Sequence, residues 1–598
     1  MKRKLLPAAL LLLAGLTVPL TAQGQEIIPL ASPFYAGVDN LYLIAGLAAP
    51  TSVRPWSRSE ARLILDRLEG RLPEMTLPFY EQLNERASAP LRFPFSPPLS
   101  LGVRVDLALE TYAHSNTEDY VIEEDWIQRF VDRAPLFKTT LELAAGDWFY
   151  GLSDFQIGWN YTHPTADQRF DLNDNLAGIA ALIPLKQNPP GNWEVRPHNM
   201  IRYSQAYADS WINNIPPDLY YMDPRFPKRA LLSFGGTHWN LSFGRDRLSW
   251  GNGHSGNLIL GGHREYDNFV RFAAFFDRFR YDLGTVIFDK HIYFFVPDAF
   301  LYTPGAVESR PKSRYFLLHR LEFRPSPRLV LAISENVMYQ DEYFNLRYFN
   351  PAFIYHNFGE YTLFNAIAGI EADWAAFRGF NVYLQAVLDD ATAPNEPTNR
   401  ATAYGLLGGM EYALPLRLGR KAGVLSLSLE GAYTTPMLYR REFVDFLALT
   451  KWGELEETNT YIIEYIGYPY GGDAIVGQFD ASLSFAGGSR FALGLFAMLH
   501  GSINPLVSHN TDGINYREPN IRESTPSGQV VEKTYILSLS GEVPLALPFW
   551  GAQLSVFGEL HFVSRTNKKT YTDTTPFVDY LPGTSRDVQF SLGTRLTL

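Results

Sequence analysis

Residues 424–433 read VLSLSLEGAY, a stretch in which every second side chain is apolar. One face carries the apolar side chains of Leu425, Leu427, Leu429 and Tyr433. The other face carries the polar side chains of Ser426, Ser428 and Glu430. Successive side chains of a β-strand point to opposite sides, so this stretch predicts a strand with one apolar and one polar face.

The same two-residue rhythm recurs from residue 101 to the end of the chain. Its clearest further examples are LGVRVDLALE (101–110), QFDASLSF (478–485), KTYILSLSGEV (533–543), AQLSVFGELHF (552–562) and DVQFSLGTRLTL (587–598). Roughly eighteen such segments occur. Each is about ten residues long, which is enough for a tilted strand to cross the hydrocarbon of a bilayer.

A soluble β-sandwich would alternate in the same way, with its apolar face turned inward. Three features favour a membrane barrel instead: the length of the segments, the aromatic residues near their ends, and a strand pattern that reaches the last residue. A closed barrel pairs every backbone N–H and C=O, as lipid requires. We therefore predict an all-β transmembrane fold, an antiparallel outer-membrane β-barrel of about 18 strands with a small N-terminal periplasmic helical unit.

Residues 1–24 predict a secretory signal peptide. Positive residues at 2–4 precede an apolar run at 5–22, and small residues precede a cleavage site after Gly24. Beyond this segment we find no apolar run of 18 residues, so we expect no transmembrane helix.

The composition narrows the possible partners. The 598 residues include no cysteine, and the net charge is −11. An acidic exported chain is a poor partner for nucleic acid or for anionic lipid headgroups. Aromatic residues make up 14% of the chain, which suits the girdles that membrane barrels place at the bilayer interfaces.

The segment before the strands has a different pattern. Residues 25–88 predict the helical unit, in which SRSEARLILDRLEGRL (57–72) has one apolar helical face. Ser57 and Glu60 fit a capping box at its start, and Pro78 suits the first turn of another helix. A third helix is expected in DNLYLIAGLA (39–48). We assign residues 89–100 to a Pro-rich linker and 101–598 to the barrel.

The connections between strands alternate between short and long. RPSPR (324–328) is expected to be a short periplasmic turn. The candidate extracellular loops are 164–196, 205–227, 436–458, 503–532 and 565–584, some of which could fold into the lumen. The side chains expected to face the lumen include Arg104, Asp106, Glu110, Arg320, Glu322, Glu430, Asp480, Glu542, Glu559 and Arg595.

One connection contains the spacing G-x-G-x-x-G, in WGNGHSGN at residues 250–257. A dinucleotide-binding fingerprint needs a preceding strand, a following helix and a βαβ unit. A strand precedes it at 237–245, but the glycine-broken NLILGGHREYDN (257–268) predicts no helix. We therefore reject nucleotide binding and expect this loop to turn sharply and pack inside the barrel, because glycine permits positive φ and close backbone approach.

The pair His254-Ser255 also suggests a lipid hydrolase. Adjacent residues on an extended segment point to opposite faces, so the two side chains cannot easily share a proton. We predict that the protein is not an enzyme, and we keep an outer-membrane lipid hydrolase as a third hypothesis. The 12 histidines are scattered, and we expect neither a metal site nor a cofactor.

The stretch FGRDRLSWGNGHSGNLIL (243–260) resembles the capsule assembly Wzi family. The match rests on the family motif residues Gly244, Arg245, Trp250, Gly251, Gly253 and Leu258 to Leu260, with Asn350 and Pro351 in RYFNPAFIYHN (347–357). The N-terminal helical region is similar too. This resemblance implies an outer-membrane barrel of about eighteen strands that holds capsular polysaccharide at the cell surface as a lectin.

The leading functional hypothesis is accordingly binding of capsular or other surface polysaccharide at the bacterial outer membrane. The candidate ligand-binding residues are Trp250, Asn252, His254, Asn257, Arg264 and Tyr266. We expect a monomer whose other partners are outer-membrane lipids and the barrel-assembly machinery. The alternative is a diffusion porin or substrate channel, which the mostly acidic lumen-facing set would make cation-preferring.

Overall fold

The computed structural model describes most of the strands and the segment that precedes them. The described residues are 24–88, 93–96, 98–116, 118–120, 127, 134–157, 192–197, 227–288, 313–342, 364–391, 402–419, 421–440, 444–455, 458–502, 524–547, 552–570 and 579–598. Residues 1–23 of the predicted signal peptide lie outside this part of the chain, as do Asn350 and Pro351 of the family motif.

A short helical region precedes the strands. Its elements are α1 (Phe34–Ala45), α2 (Arg58–Asp66), a 3₁₀ turn (Glu74–Thr76) and α3 (Leu77–Ser88). Ser57 caps α2 by accepting a hydrogen bond from the backbone N–H of Glu60 at 3.3 Å. The Glu60 carboxylate, which a full capping box would turn back to Ser57, is instead buried against Arg280. No helix among the described residues is long and apolar enough to cross a membrane.

Eighteen strands of the described residues form one closed barrel in which neighbours pair antiparallel. They are β3 (Leu99–His114), β4 (Phe137–Ala145), β5 (Phe149–Ile157), β7 (Ala230–Gly235), β8 (Trp239–Asp246), β10 (Asp267–Phe275), β11 (Phe279–Phe288), β12 (Ser313–Ser326), β13 (Leu329–Glu342), β14 (Phe364–Phe377), β15 (Phe380–Asp390), β16 (Ala403–Leu418), β17 (Lys421–Thr434), β20 (Ala474–Phe485), β21 (Arg490–His500), β22 (Glu532–Ala546), β23 (Gln553–Thr570) and β24 (Asp579–Thr597). The shorter strands are β1 (Val53–Arg54), β2 (Phe93–Ser96), β6 (Asn192–Pro197), β9 (Ser249–Trp250), β18 (Leu447–Leu455) and β19 (Thr458–Tyr465).

The ring closes where the last strand meets the first. β24 pairs antiparallel with β3, in a register that runs from Gln589 opposite His114 to Thr597 opposite Asp106. The first barrel strand begins at Leu99, and β2 pairs with it, so part of the predicted Pro-rich linker is strand. Each of the eighteen described barrel strands thus has a partner on both sides, which is the condition for burying strands in lipid.

The outer face of the barrel is apolar, and the predicted alternation is confirmed. On β3 the leucines at 101 and 109 are exposed, whereas Gly102 and Glu110, which follow them directly, are buried toward the lumen. On β17 Leu429 is exposed and the neighbouring Glu430 is 3% exposed. An exposed apolar belt around a closed ring is the lipid-facing surface of a membrane barrel.

The strands are joined by short turns at one end and by longer connections at the other. The predicted turn 324–328 joins β12 to β13, while the connection from β8 to β10 spans residues 247–266. Short turns mark the periplasmic end of bacterial barrels. One predicted loop is wrong in extent: much of 565–584 is strand, because β23 continues to Thr570 and β24 begins at Asp579. Ladder pairing overrides the polar, Asn-rich and Thr-rich composition there.

The helical region lies at the short-turn end, so we call residues 24–88 the helical unit. It contacts three turns: the Ala48 N–H donates to the Pro327 carbonyl at 3.0 Å, the Leu43 carbonyl accepts from the Gly379 N–H at 2.7 Å, and the Arg67 guanidinium donates to the Phe276 carbonyl. The chain between α1 and α2 then enters the lumen, where β1 pairs with β9. The helical unit therefore closes much of this end and extends into the bore.

A second segment enters the lumen from the long-connection end. It consists of the described residues between β17 and β20 (435–440, 444–455 and 458–473), and we call it the second lumen segment. β18 pairs antiparallel with β19, and β19 pairs parallel with β6. Leu438, Tyr439 and Phe446 are all buried. The predicted extracellular loop 436–458 thus packs partly inside the barrel, which the sequence left open as an alternative.

Candidate functional site

The connection at residues 247–266, here called the glycine loop, turns into the lumen as expected from its sequence. Its glycines have conformations that other residues avoid, with φ of 127° at Gly251 and 140° at Gly256. A Cβ on Gly251 would lie 2.2 Å from the Asn257 side-chain oxygen, and one on Gly256 would lie 2.3 Å from Pro469. Glycine is required at both places because the backbone packs directly against neighbouring groups.

Apolar side chains of the glycine loop form the centre of a core inside the barrel. Leu248, Trp250, Leu258 and Leu260 are each at most 2% exposed. They pack with inward side chains of the wall and of the second lumen segment, which include Phe269, Val286, Phe316, Met338, Tyr383, Leu407, Leu438 and Phe446. Burial of this size anchors the loop, since one fully buried large apolar side chain contributes about 1.5–3 kcal/mol.

The helical unit is joined to this core by backbone pairing. Val53 of β1 lies opposite Trp250 of β9, and the Gly251 N–H donates to the Ser52 carbonyl at 3.0 Å. Trp250 also donates to the Leu260 carbonyl at 3.0 Å. Segments about 200 residues apart in sequence therefore lie together across the bore.

Glu430 of β17 fastens the tip of the glycine loop. Its carboxylate accepts hydrogen bonds from the backbone N–H groups of His254 and Ser255, both at 2.8 Å. It also accepts from the Tyr383 hydroxyl at 2.7 Å and from the Ser255 hydroxyl. A buried carboxylate is stable only when it is paired in this way.

His254 contacts two further carboxylates of the wall. Its Nε2 lies 2.8 Å from Glu411, and its Nδ1 lies 3.9 Å from Asp480. Burial lowers the pKa of His254, but the hydrogen bond to Glu411 and the charges of Glu411, Glu430 and Asp480 outweigh burial and raise the pKa to about 9. The imidazole is therefore protonated at neutral pH and holds the loop by charge as well as by hydrogen bonds.

The two residues of the proposed hydrolase pair have different partners. The Ser255 hydroxyl contacts Glu430 and Tyr468, while the His254 ring contacts Glu411 and Asp480. No helix follows the glycines among residues 251–268 of the described chain, so a βαβ unit is not formed there. Across the residues that the structure describes, no group of three or more His, Asp or Glu side chains could hold a metal ion.

The structure separates the six predicted ligand-binding residues into two sets. Trp250, Arg264 and Tyr266 are buried in the packing: Trp250 lies in the core, Arg264 pairs with Asp267, and Arg245 lies 4.0 Å over the Tyr266 ring. These three side chains do not line the cavity that the other three border.

The second set consists of Asn252, His254 and Asn257, which border a cavity of about 260 Å³ between the glycine loop and the helical unit. The Asn257 oxygen accepts from Gly253 N–H at 2.9 Å and from Gln385 at 2.8 Å. The family motif residues Gly251 and Gly253 line the same cavity. The loop thus presents amide, imidazole and backbone groups to one enclosed space.

The sequence reasoning missed several residues of this site. Glu411, Asn381 and Gln385 come from the wall, and Asp39 and Arg54 come from the helical unit. The alternation of the strands could have placed the first three on the lumen face. It could not have placed the other two, because the helical unit reaches the lumen through contacts between segments that are distant in the chain, such as β1 and β9.

Two parts of the inner wall differ in the burial of their inward side chains, and we call them the packed arc and the open arc; β4, β5 and β7 belong to neither. The packed arc comprises β8 and β10–β17, and its inward side chains are mostly buried, as at Phe269, Arg320 and Tyr383. The open arc comprises β20–β24 and β3, where Asp480, Ser540 and Glu559 and most of their inward neighbours are half-exposed. The predicted lumen-facing charges occur on both arcs, and Arg320, Glu322 and Glu430 belong to the packed one.

Hydrogen bonds join the helical unit to charged side chains of the packed arc. Arg320 bonds to Glu322 at 2.7 Å, to Glu371 at 2.9 Å and to the Ser52 hydroxyl at 2.7 Å. The Ala49 N–H donates to Asp373 at 2.6 Å. These bonds satisfy buried charges, as an enclosed polar network requires.

A closed ring of eighteen strands with an apolar outer belt and a largely filled interior defines the class of protein: it is a bacterial outer-membrane β-barrel. No protein-family model matches the sequence, and no curated protein does.

Comparison with solved structures gives the same class. The fold is similar to that of Wzi of Escherichia coli, described as an outer-membrane, carbohydrate-binding β-barrel involved in group 1 capsule assembly. That likeness has a TM-score of 0.51 and 13% identity, and it covers 94% of this chain and 97% of that one. OccK3 (OpdO) and OprD of Pseudomonas aeruginosa are more distant, with TM-scores of 0.35 and 0.34 and 9% identity each. Each of these two alignments covers 83% of this chain, and they cover 96% of OccK3 and 95% of OprD.

Proposed function

We propose that this protein binds surface polysaccharide at the outer membrane and helps to assemble or anchor a capsule there. The proposal is supported by a likeness of fold, over nearly the full length of both chains, to a barrel described as carbohydrate-binding and involved in capsule assembly. It is also supported by the resemblance of residues 243–260 to the Wzi family motif.

The observation that carries the proposal is the filled part of the lumen. The glycine loop, the second lumen segment and the helical unit pack against the packed arc with buried apolar and charged side chains. A barrel so filled is poorly suited to general diffusion of solutes. Its function is therefore expected at its surface, where long connections meet the cell exterior.

Binding can be tested with the purified full-length protein in a detergent that contains no sugar. The protein is incubated with immobilised polysaccharide extracted from the surface of the host cell, and retention is compared with that of an unrelated outer-membrane barrel. We expect selective retention that grows with polymer length, because many weak contacts to a repeating chain act together. Equal retention of the two barrels would refute the proposal.

A second candidate function, a narrow channel, is favoured by the open arc. Its inward residues are half-exposed and carry both signs of charge, with Arg104, Asp480 and Glu559 among them. Such a wall can conduct ions if the passage is continuous. Single-channel recording in planar bilayers separates the candidates: steady openings favour the channel, and a silent bilayer favours the anchor.

A further inference from the structure

The cavity beside the glycine loop joins three parts of the molecule. α1 supplies one side, the glycine loop supplies a second, and the inward faces of β15 and β16 supply the third. Arg490 also lines it, at the start of β21 directly after a short turn, and this residue is exposed. The cavity therefore opens toward the short-turn end of the barrel rather than toward the long connections.

Three residues that line this cavity each have one fully buried polar atom without a hydrogen-bond partner among the described residues. These atoms are Oδ1 of Asp39, Nε of Arg54 and Oδ1 of Asn381, each from a different element. The other atoms of these groups are paired, since Arg54 bonds Asp39 at 2.6 Å and Asn381 bonds Asp373 at 2.9 Å. Asn381 is 1% exposed. The side chains that line the cavity are carboxylate, guanidinium, amide and imidazole groups, which together offer both donors and acceptors of hydrogen bonds.

The charges around the cavity select the kind of molecule. Asp39 and Glu411 are balanced by Arg54 and by protonated His254, with Arg490 at the opening. A metal cation would be repelled by Arg54, His254 and Arg490, and an anion would be repelled by Asp39 and Glu411. A neutral ligand with both donors and acceptors avoids both repulsions.

The apolar and polar side chains of the lining also favour a neutral ligand. Small and apolar side chains of the helical unit, Ala36, Leu43 and Leu47, form one side, while Asn252 and Asn381 lie on the polar side. A hexose has apolar C–H faces and a rim of hydroxyl groups, each of which can both donate and accept. The volume of about 260 Å³ is just below the usual range for drug-sized ligands.

We propose that this cavity binds a small neutral polyhydroxylated molecule, about the size of one hexose, that enters from the short-turn end. This site lies apart from the long connections to which polymer binding is assigned above. The two proposals can therefore fail separately.

The test uses the purified full-length protein in a sugar-free detergent. Glucose, galactose and N-acetylglucosamine are each titrated and followed by calorimetry and by saturation-transfer NMR, with calcium chloride and phosphate as separate arms. The blocking variant is Ala36→Phe, which fills the cavity from α1 without removing a polar group, and Ala36→Ser is its size-matched control. We expect at least one sugar to bind to the unchanged protein. Its affinity for A36F should be at least tenfold lower, and its affinity for A36S should equal that for the unchanged protein.

A second variant, Asn252→Leu, covers the case in which A36F does not fold. It removes a partly exposed amide from the polar side and should also weaken sugar binding several-fold. The proposal is overturned if none of the sugars binds, if calcium or phosphate binds in their place, or if sugar binding is equal in A36F and the unchanged protein. Retention of surface polysaccharide, measured in parallel, should be the same in all the variants.

Discussion

The two arcs of the inner wall have the same strand periodicity but different surroundings. On the packed arc, inward residues such as Arg320 and Tyr383 are at most 2% exposed. On the open arc, inward residues such as Ser540 and Glu559 remain half-exposed. The packed arc faces the glycine loop and the helical unit, whereas the open arc carries small side chains at many inward positions, including Ala492, Gly494 and Ser538.

The comparison shows that alternation alone does not fix the environment of a lumen-facing residue. A polar side chain on the packed arc must find a partner, because it is removed from water. A polar side chain that is half-exposed on the open arc, such as Ser540 or Glu559, keeps water as its partner. Substitutions that are chemically identical should therefore have very different effects on the two arcs.

The largest difference is expected for aromatic residues. Phe269→Ala on the packed arc removes a buried ring from the lumen core and should lower the free energy of unfolding by about 3–5 kcal/mol. Phe557→Ala on the open arc, where the ring is half-exposed beside Arg595, should cost only about 1–2 kcal/mol. Urea titration of both variants measures the two values. Equal losses would mean that the lumen core does not stabilise the barrel.

The next largest difference is expected for carboxylates. Glu430→Gln replaces one acceptor oxygen by an NH₂ group, so one backbone N–H of the glycine loop and one hydroxyl, that of Tyr383 or of Ser255, lose their acceptor. It should cost about 1–3 kcal/mol of unfolding free energy. Glu542→Gln, at an exposed position of the open arc, should stay within about 0.5 kcal/mol of the unchanged protein. A large effect at Glu542 would show that the open arc is packed after all.

Access of water can be measured directly because the chain has no cysteine. Ser540→Cys on the open arc should react with a water-soluble thiol reagent at least tenfold faster than Ser334→Cys on the packed arc, where the side chain is 6% exposed. Equal rates at the two positions would contradict the division of the wall into two arcs.

The smallest effect on the free energy of unfolding is expected from a change of pH. Because its pKa is raised from 6.5 to about 9, His254 stabilises the docked glycine loop fully below pH 6.5 and progressively less as the pH rises through 9. His254→Gln should remove this part of the pH dependence. Unfolding free energies of the two proteins, measured from pH 6 to 10, should converge at the alkaline end. Parallel curves would show that the charge of His254 does not hold the loop.

Much of the wall could be predicted from the sequence. The rhythm of segments such as 424–433 and 587–598 predicts strands, their lipid-facing side and a ring that closes at the last residue, because side-chain direction depends only on position along a strand. The boundaries were less accurate, as at 565–584, where strand pairing extends through a polar segment.

The candidate site could be predicted only in part. The glycines at 251–256 predict a tight, inward-packing loop, and three of the six candidate ligand residues do border a cavity. The positions of Trp250, Arg264 and Tyr266 could not be predicted, since an aromatic or cationic residue in a loop suits packing and ligand binding equally well. Tertiary contacts alone distinguish the two.

The sequence by itself determined that this protein has a two-faced wall, because alternation is a local property of each strand. Only the tertiary structure decided which part of that wall is filled. The pairing of Val53 with Trp250 joins segments that are distant in the chain, and such contacts form because the closed ring brings apolar surfaces together and excludes water from between them. The local sequence pattern of a strand or loop does not determine which apolar surfaces will meet in the closed ring.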